Sequence, residues 1–341
     1  MGKETVDKES LLLKAVAKAH TNIALIKYWG KRDEQLFLPM NSSLSITLDR
    51  FYTTTSVRFD EGLSEDIFIL DDQQVSENEK RKVAQFLDKV RKRAGKNLFA
   101  QIISKNEVPT AAGFASSASG FAALAAAATK AIGLEVDQRT LSQIARQGSG
   151  SACRSVYGGY VEWQKGEKAD GSDSFAKQVY GEKDWDVSVL SVMLASKPKK
   201  VLSREGMKRT VETSPFYAGW LATVETDFSN VKEAIFNHDF ETLGQIVEAN
   251  AMKMHATTLG ANPPFMYWQS STIEVMEQVQ ELRASGIQAY FTIDAGPNVK
   301  VLCQPEQEQT VREALRRLPV VQDVLLCHPG PGISYLPAST L

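Results

Sequence analysis

The sequence predicts a protein of the α+β class, because two kinds of local pattern occur in one chain. Several short segments of the first half alternate apolar and polar side chains, which is the two-residue period of a half-buried strand. Longer segments, most of them in the second half, repeat apolar residues every three or four positions, as an amphipathic helix does. The chain has 341 residues, of which 43% are hydrophobic, so it can bury enough apolar surface for two domains.

Most of the first hundred residues are predicted to form strands. Strands are predicted at residues 11–19, 44–48, 53–58, 67–70 and 99–104. We expect 44–48 and 53–58 to pair with each other, with Asp49 and Arg50 between them. A helix is predicted at residues 76–94, where apolar side chains recur at helical spacing among charged ones.

The stretch from residue 107 to residue 134 is predicted to be a phosphate-binding loop that leads into a helix. Pro109 ends the preceding strand and Gly113 permits a sharp turn, after which small residues lead into a helix from about Ser116 to Ile132. The unpaired N–H groups and positive dipole end of such a helix suit the phosphates of a nucleotide. The ordinary alternative is a serine-capped, alanine-rich helix packed against a sheet, since there is no Walker pattern.

Two further segments carry side chains that suit anions. Residues 27–32 place three cations and two aromatic rings around Gly30, and lysine, arginine and tyrosine can all donate to a di- or triphosphate. Residues 147–155 form a second Gly/Ser loop, which follows a helix capped by Asp137 and carries Arg154. Taken singly, residues 27–32 are also explained as a solvated basic turn. Residues 147–155 are also explained as a flexible turn before a strand at 158–164.

The second half is predicted to be richer in helices. After a surface loop at 165–184, strands are predicted at 187–195, 288–293, 299–303 and 321–327, and helices at 214–238, 239–255, 271–285 and 306–318. Ser214 and Pro215 are expected to begin the first of these helices. Residues 196–206 concentrate cations, as expected either of a flap that closes over phosphates or of a solvated loop. Asp294 lies in a tight turn, where it either stabilises the turn or serves as a carboxylate that orients or deprotonates a hydroxyl.

Composition limits the class of partner and the compartment. The formal net charge is -2, which argues against a nucleic-acid-binding or membrane-coating surface. The three cysteines are far apart and lack zinc-ligand spacing, which favours a reducing compartment. The charged N-terminus has no apolar signal core, and no apolar run is long enough to span a bilayer. We therefore expect a cytoplasmic protein that binds neither nucleic acid nor membrane.

Four motifs together closely resemble one enzyme family. They are residues 22–33 (NIALIKYWGKRD), 109–118 (PTAAGFASSA), 149–155 (SGSACRS) and 294–298 (DAGPN). In this order they resemble the diphosphomevalonate decarboxylase family, a branch of the galactokinase, homoserine kinase, mevalonate kinase and phosphomevalonate kinase (GHMP kinase) superfamily. The resemblance implies an N-terminal domain at residues 1–186 that is like ribosomal protein S5 domain 2 and binds ATP and substrate. It also implies a C-terminal α+β sandwich at residues 187–341, with the active site in the cleft between them.

The resemblance further implies an activity and its residues. The reaction is ATP-dependent decarboxylation of (R)-5-diphosphomevalonate to isopentenyl diphosphate, with Mg²⁺ bound alongside ATP. Catalysis is assigned to Asp294, Lys27 and Arg154. Substrate binding is assigned to Tyr28, Trp29, Gly30, Lys31, Lys80, Ser149, Gly150, Ser151, Ala152, Cys153, Arg154, Ser203 and Arg204. ATP binding is assigned to Ser104, Asn106, Pro109, Ala111, Gly113, Ala115, Ser116 and Ser117, with Ser117 also expected to contact the metal.

The chain departs from the family pattern at two of these places. Phe114 stands where the family usually has Leu, which alters packing behind the loop, and Lys80 stands where Arg is common. Three rival functions remain open: another GHMP-superfamily kinase, a decarboxylase specific for the monophosphate, and a nucleotide-binding regulatory protein. A homodimer is expected from the family alone.

Overall fold

The computed structural model describes residues 13–107, 116–194 and 200–341, in which two antiparallel or mixed sheets are packed with helices. The strands are β1 (Lys14–Ile26), β2 (Lys31–Asp33), β3 (Leu38–Pro39), β4 (Ser43–Asp60), β5 (Ile67–Leu70), β6 (Gln73–Gln74), β7 (Phe99–Asn106), β8 (Tyr160–Trp163), β9 (Ala176–Tyr180), β10 (Ser188–Leu194), β11 (Ala289–Ile293), β12 (Val299–Cys303), β13 (Val321–Cys327) and β14 (Ser334–Leu336). The helices are α1 (Glu77–Ala94), α2 (Ser116–Ala131), α3 (Gln138–Arg146), α4 (Ser203–Thr213), α5 (Tyr217–Phe236), α6 (Phe240–Leu259), α7 (Ser270–Ala284) and α8 (Glu308–Arg316). The α+β class is confirmed.

The first sheet is built on the long strands β1 and β4. Its order is β14-β1-β4-β7-β5-β6, and β8 pairs with β4 and then with β9. Helix α2 packs on this sheet, with alanines 122, 123 and 125–128 fully buried in the shared core. Side chains this small let the helix approach the strands closely, so the start of α2 lies beside the end of β7.

The prediction of two paired strands at 44–48 and 53–58 is wrong, because both segments belong to the single strand β4. Asp49 and Arg50 continue the extended chain, and β4 follows β1 through a register shift between His20 and Asn22. No glycine, proline or Asn-Gly pair is present to turn the chain there. The polar pair Asp49–Arg50 therefore marks a bulge within β4, whose residues 48–51 lie opposite Thr21 alone, and not a hairpin.

The second sheet has the order β11-β12-β10-β13 and is antiparallel throughout. Helices α7 and α8 cover one face, where Leu190, Val192 and Val301 form part of the core. The other face, with Val189 and Leu302, packs with α5, α6 and the ends of β1 and β4 in one continuous core. The two sheets are therefore joined by buried apolar side chains, and the functional residues lie along this junction.

Several boundaries in the second half differ from the sequence prediction. The helix predicted from Ser214 begins at Tyr217. Residues 203–206, predicted as part of a flap or loop, form the start of α4 (Ser203–Thr213). The predicted surface loop at 165–184 contains β9. The predicted division after residue 186 falls between β9 and β10, although β14 returns to the first sheet.

Of the helix caps that were predicted from the sequence, Asp137 is confirmed, whereas Ser214 lies at the C-terminal end of α4 and not at the start of the next helix. Asp137 accepts a hydrogen bond from the Thr140 N–H at the start of α3, and Ser76 and Glu79 form a capping box at the start of α1. In the part of the chain that the structure describes, no helix is both long and apolar enough to cross a membrane.

Candidate active site

A cleft of about 340 Å³ opens at the junction of the two sheets. Both halves of the chain line it. The predicted residues that it brings together are Lys27, Tyr28, Trp29, Lys31, Ser117, Ser149, Gly150, Ser151, Arg154, Ser203, Arg204 and Asp294. Residues that are separated by up to 267 positions in the sequence thus converge on one space.

The centre of the cleft is an ion pair between Lys27 and Asp294. Lys27 directly follows β1 and Asp294 directly follows β11, and their Nζ and Oδ1 atoms are 2.7 Å apart. The Lys27 side chain is only 3% exposed, whereas 40% of the Asp294 side chain is open to the cleft. The carboxylate is therefore the member of the pair that a bound molecule can reach.

The surrounding charges determine the ionisation of this pair. Withdrawal from bulk water pushes the pKa of Asp294 upward, but Lys27, Lys300 and Arg154 outweigh it and lower the pKa to about 2. Burial lowers the pKa of Lys27, and the charge of Asp294 opposes that change. Asp294 is thus an anion across the whole physiological pH range, ready to accept a hydrogen bond or a proton.

Arg154 is held rigidly beside the pair. It lies in a buried 3₁₀ helix (Gly150–Val156), and its Nη1 donates to Ser43 Oγ at 2.6 Å. Its Nη2 donates to Asn22 Oδ1 at 3.2 Å. Because a guanidinium carries five N–H groups, others remain for an anion in the cleft. A buried arginine with a fixed fork is well suited to a carboxylate.

A second group of cations lies around the ring of Phe37 at the cleft wall. Lys31 Nζ is 4.7 Å and the Arg204 guanidinium 5.1 Å from the ring centre. Glu34 pairs with Lys31 at 2.5 Å. Burial lowers the pKa of Lys31, Glu34 raises it, and Arg204 lowers it further. An arriving polyanion would relieve the repulsion between these two cations.

Tyr28 presents a polar atom that needs a partner. Its hydroxyl is buried and has no hydrogen-bond partner among the residues that the structure describes. Its ring lies 4.7 Å from that of Trp163, and Gly150 leaves the space beside it, since a Cβ there would come within 2.8 Å of the tyrosine ring. An orphaned buried hydroxyl of this kind is expected to meet a ligand.

A second cavity of about 240 Å³ adjoins the cleft on the side of α2. The two spaces share Lys82, Ser117 and Phe121. Ser104 and Asn106, both predicted to bind ATP, line this second cavity. Its walls are otherwise largely apolar, as expected of a pocket for a flat organic ring.

Two hydroxyls mark the passage between the cavities. Ser117, on the first turn of α2, is exposed, and Ser149 Oγ is 3.4 Å from Ser117 Oγ. Both face the N-terminal end of α2, where free N–H groups favour an anion. The arrangement forms a site suited to a phosphate between the second cavity and the Lys27–Asp294 ion pair.

Some predicted residues are not brought to the cleft. Lys80 lies on the outer side of α1 and pairs with Glu65 at 2.7 Å, whereas Lys82 reaches the cleft. Ala152 and Cys153 are fully buried in the apolar cores behind it. Gly30 adopts a left-handed φ of 100° close to the Tyr217 hydroxyl and shapes the loop without lining the cleft. The predicted residues Pro109, Ala111, Gly113 and Ala115 lie outside the described residues, as does the Ser116 side chain.

Sequence reasoning did not identify four residues of the site: Asn22, Phe37, Lys82 and Asn250. Asn22 holds Arg154, and Asn250 accepts a hydrogen bond from the backbone N–H of Lys27. Phe37 has a left-handed φ of 56°, which is uncommon for a bulky residue and typical of a functional constraint. No local pattern distinguished them from neighbouring residues of the same types.

No preformed metal centre accompanies these residues. Within 13–107, 116–194 and 200–341, no group of three or more histidine, cysteine, aspartate or glutamate side chains is arranged to hold a metal ion. A cation at the passage between the cavities would therefore be held largely by the oxygens of a bound phosphate compound, with hydroxyls such as that of Ser117 beside it.

Comparison with known proteins matches both halves of the chain to one family. Residues 19–176 match the diphosphomevalonate decarboxylase-like N-terminal domain, and residues 189–326 match the mevalonate 5-diphosphate decarboxylase C-terminal domain. Human diphosphomevalonate decarboxylase is 38% identical over 315 residues, which cover 86% of this chain and 77% of the human protein.

Solved structures agree in fold over nearly the whole length. A structure of the mevalonate diphosphate decarboxylase from Enterococcus faecalis, concerned with ATP binding mediated by mevalonate diphosphate, has a TM-score of 0.89 and 49% identity. A complex described as MDDEF with MVAPP, AMPPCP and magnesium has a TM-score of 0.90 and 50% identity. Each covers 95% of this chain and 98% of its own. The predicted two-domain architecture of the GHMP kinases is thus confirmed, and the chain belongs to the diphosphomevalonate decarboxylase family.

Proposed function

We propose that this protein catalyses the ATP-dependent decarboxylation of (R)-5-diphosphomevalonate to isopentenyl diphosphate, with release of ADP, phosphate and carbon dioxide. The observation that carries the proposal is the placement of Arg154 beside the Lys27–Asp294 ion pair in one cleft. A kinase needs the acidic residue at the attacking hydroxyl, but only an elimination that expels carbon dioxide needs a second group to grip a carboxylate. Family membership and the substrate and ATP-analogue complexes of relatives agree with this function.

The second cavity and the start of α2 are proposed to hold ATP, with Ser104 and Asn106 near the nucleoside and Ser117 near the phosphates. Lys82, which reaches both cavities, is proposed to neutralise phosphate charge at the passage between them. Bound with ATP, Mg²⁺ would supply positive charge to the oxygens of the transferring phosphoryl group. The exposed hydroxyl of Ser117 is the side chain best placed to stand beside it.

The cations around Phe37 are proposed to hold the diphosphate of the substrate. Lys31 and Arg204 supply the charge, and the orphaned Tyr28 hydroxyl supplies a donor. Ser149 and Ser151, on the same loop as Arg154, add hydroxyl donors. With the diphosphate bound there and the carboxylate at Arg154, the C3 hydroxyl of the substrate falls near Asp294.

Asp294 is proposed to act at the C3 hydroxyl. A tertiary alcohol is a weak nucleophile, so the carboxylate aligns it with the γ-phosphate and takes its proton late in the transfer. The C3–O bond then breaks with departure of phosphate, and the electron pair of the bond to the carboxyl carbon forms the new double bond as carbon dioxide leaves. Asp294 returns the proton to the departing phosphate, and its restored anion stabilises positive charge that develops at C3, while Arg154 keeps the carboxylate aligned for the elimination.

Three further assignments accompany this proposal. Residues 1–186 are proposed as the ATP- and substrate-binding domain and residues 187–341 as the C-terminal GHMP-like domain, which contributes Arg204 and Asp294. A homodimer and a cytoplasmic location remain predictions from the family and from the sequence, to be tested by sedimentation and by fractionation.

The test measures ADP and carbon dioxide together, with the diphosphate and the monophosphate substrate in parallel. Equal yields of both products with the diphosphate are expected, and ADP without carbon dioxide would indicate a kinase. Faster turnover of the monophosphate would instead refute the diphosphate assignment. Asp294→Asn is expected to abolish turnover while both substrates still bind, because it keeps the shape and removes the anion. An affinity loss as large as the rate loss would contradict the role of Asp294.

A further inference from the structure

One helix contacts the backbone of Lys27 and the backbone of the residue that precedes Asp294. On α6, the Asn250 Oδ1 accepts a hydrogen bond from the Lys27 N–H at 2.9 Å. One and a half turns further on, His255 Nε2 lies 3.2 Å from the carbonyl oxygen of Ile293, the residue that precedes Asp294. A carbonyl can only accept, so Nε2 carries the proton. Both side chains are buried, at 0% and 2% exposure.

The orientation of the Asn250 amide is fixed from its other end. Its Nδ2 donates to Asp227 Oδ2 at 2.8 Å, and Lys253 Nζ donates to the same oxygen at 2.6 Å. A carboxylate cannot donate, so the amide nitrogen must face Asp227 and the amide oxygen must face Lys27. A chain of hydrogen bonds therefore runs from Lys253 on α6, through Asp227 on α5, to the Lys27 backbone.

Such a scaffold is needed because the two catalytic residues belong to different sheets. Lys27 extends from the end of β1 in the first sheet and Asp294 from the end of β11 in the second, so no shared strand register sets the distance between them. Inside the first half, Asn41 Nδ2 donates to the Lys27 carbonyl at 2.8 Å. From the second half of the chain, Asn250 makes the corresponding contact with the N–H of Lys27.

We propose that Asn250 is a positioning residue, which together with His255 lets helix α6 set the distance between the Lys27 ammonium and the Asp294 carboxylate. The inference rests on the proposed function, since it assigns that pair to the reaction. Nothing in the site requires Asn250 to touch substrate, because it acts on the backbone behind Lys27. Its effect should therefore appear in the rate of the chemical step more than in substrate affinity.

The charge state of Asp294 reports on this distance independently of turnover. The charged or titratable groups that face Asp294 are Lys27, Lys300, Arg154 and the His255 imidazole. Lys27 Nζ lies 2.7 Å from Asp294 Oδ1. If Lys27 moves away, burial raises the pKa of Asp294 and the carboxylate begins to titrate under mildly acidic conditions.

The experiment compares Asn250→Ala with a rescuing double variant and a matched control. In the double variant Asn250→Asp with Asp227→Asn, the donor and acceptor exchange places, so the hydrogen bond between the two positions and the acceptor for the Lys27 N–H are both kept. The exchange removes the acceptor of Lys253, so the free energy of unfolding is measured alongside. The control is Thr257→Val, which removes a buried hydroxyl bonded to Met254 O within the same helix at 2.6 Å. Both kcat and KM are measured, and the ¹³Cγ signal of Asp294 is followed from about pH 8 to about pH 4.5 in the enzyme without substrates.

Asn250→Ala is expected to lower kcat by about tenfold to a hundredfold with little change in KM, as a small misplacement of a catalytic group does. The Asp294 signal is expected to stay constant in the wild type and the control, to titrate in Asn250→Ala, and to be restored in the double variant. An unchanged Asp294 signal in Asn250→Ala would overturn the inference, as would an equal effect of Thr257→Val. An inactive wild type would refute the proposed function instead, while the Asp294 signal would still decide the positioning role.

Discussion

Replacing Lys27 by methionine tests the electrostatic core of the site. Methionine has a similar length and is apolar, so it fills the buried channel while removing the charge and the 2.7 Å hydrogen bond to Asp294. Because the Lys27 side chain is only 3% exposed, water does not readily take its place. The substitution therefore isolates the effect of the cation on Asp294.

The expected magnitude follows from the balance of charges around Asp294. In the intact site burial raises the pKa of Asp294, and three cations led by Lys27 lower it to about 2. Without Lys27 the raising effect of burial is opposed by Lys300 and Arg154, so the pKa of Asp294 rises. Below the new pKa the rate falls about tenfold for each pH unit, since only the anion can take the proton.

The assay measures release of labelled carbon dioxide at saturating ATP and substrate, at pH values from about 4.5 to about 8. In the wild type, loss of Asp294 ionisation should not limit kcat anywhere in this range. In Lys27→Met we expect an acid limb to enter the range, together with a lower plateau from poorer alignment of the carboxylate.

Lys31→Met is the matched control. Lys31 has the same side chain, is also 3% exposed, and lies four residues further along the chain, but its partner is Glu34. Its loss should raise the KM for the diphosphate and leave the pH profile of kcat unchanged. The reasoning is refuted if Lys27→Met has no new acid limb, or if Lys31→Met acquires the same one.

Two other substitutions test different contacts. Arg154→Gln should lower kcat by about a hundredfold or more, because a neutral amide cannot replace the charge of the guanidinium that binds the carboxylate. An unchanged circular dichroism spectrum would show that the fold is intact. Wild-type turnover in this variant would exclude Arg154 from the site. His255 is predicted to make the fold acid-sensitive. Burial lowers its pKa to about 4 from 6.5, so the unfolded chain binds the proton first, and stability that is complete above pH 6.5 is lost as the pH falls towards 4. The loss amounts to as much as about 3 kcal/mol. The test is His255→Gln, whose amide can still donate to the Ile293 carbonyl. The denaturant midpoints at about pH 7 and about pH 5 should differ less in this variant than in the wild type. An equal difference would show that His255 is not the source of the acid sensitivity.

Elements governed by local patterns were predicted well from the sequence. The strand at 321–327 and the helix at 76–94 were placed to within a residue, because alternation, helical spacing and the Ser76 cap are all local signals. Strand β4 was predicted as two strands because its central polar pair resembles a turn, whereas in the structure that pair lies in a bulge of β4, which pairs with β1 on both sides of the bulge. Helix α4 was missed because its cations suggested a loop, while its one buried face depends on packing against residues near Tyr267.

The residues of the site also divide into those that the sequence could identify and those that depend on tertiary structure. Charged and hydroxyl side chains in short motifs, such as Arg154 and Lys27, could be selected because their chemistry is visible in the sequence. Lys80 was selected because arginine is common at that position in the family. In the structure, the helical turn of α1 directs Lys82 to the cleft instead. Asn250 carries no chemical signal of its own, because a buried amide in a helix acquires a role only when tertiary structure brings Lys27 to it.

The position of Asn250 has a consequence for how the two halves depend on each other. The ion pair needs Lys27 from the first sheet and Asp294 from the second, and the core between the sheets is apolar and therefore gives little directional restraint. Hydrogen bonds are directional, so Asn250 and His255 supply the alignment that apolar packing lacks. A shift of the halves that leaves the core buried would cost little stability but would separate the charges, and a catalytic group displaced by about 1 Å can lose a hundredfold in rate. Activity should therefore be more sensitive than stability to changes at Asn250 of helix α6.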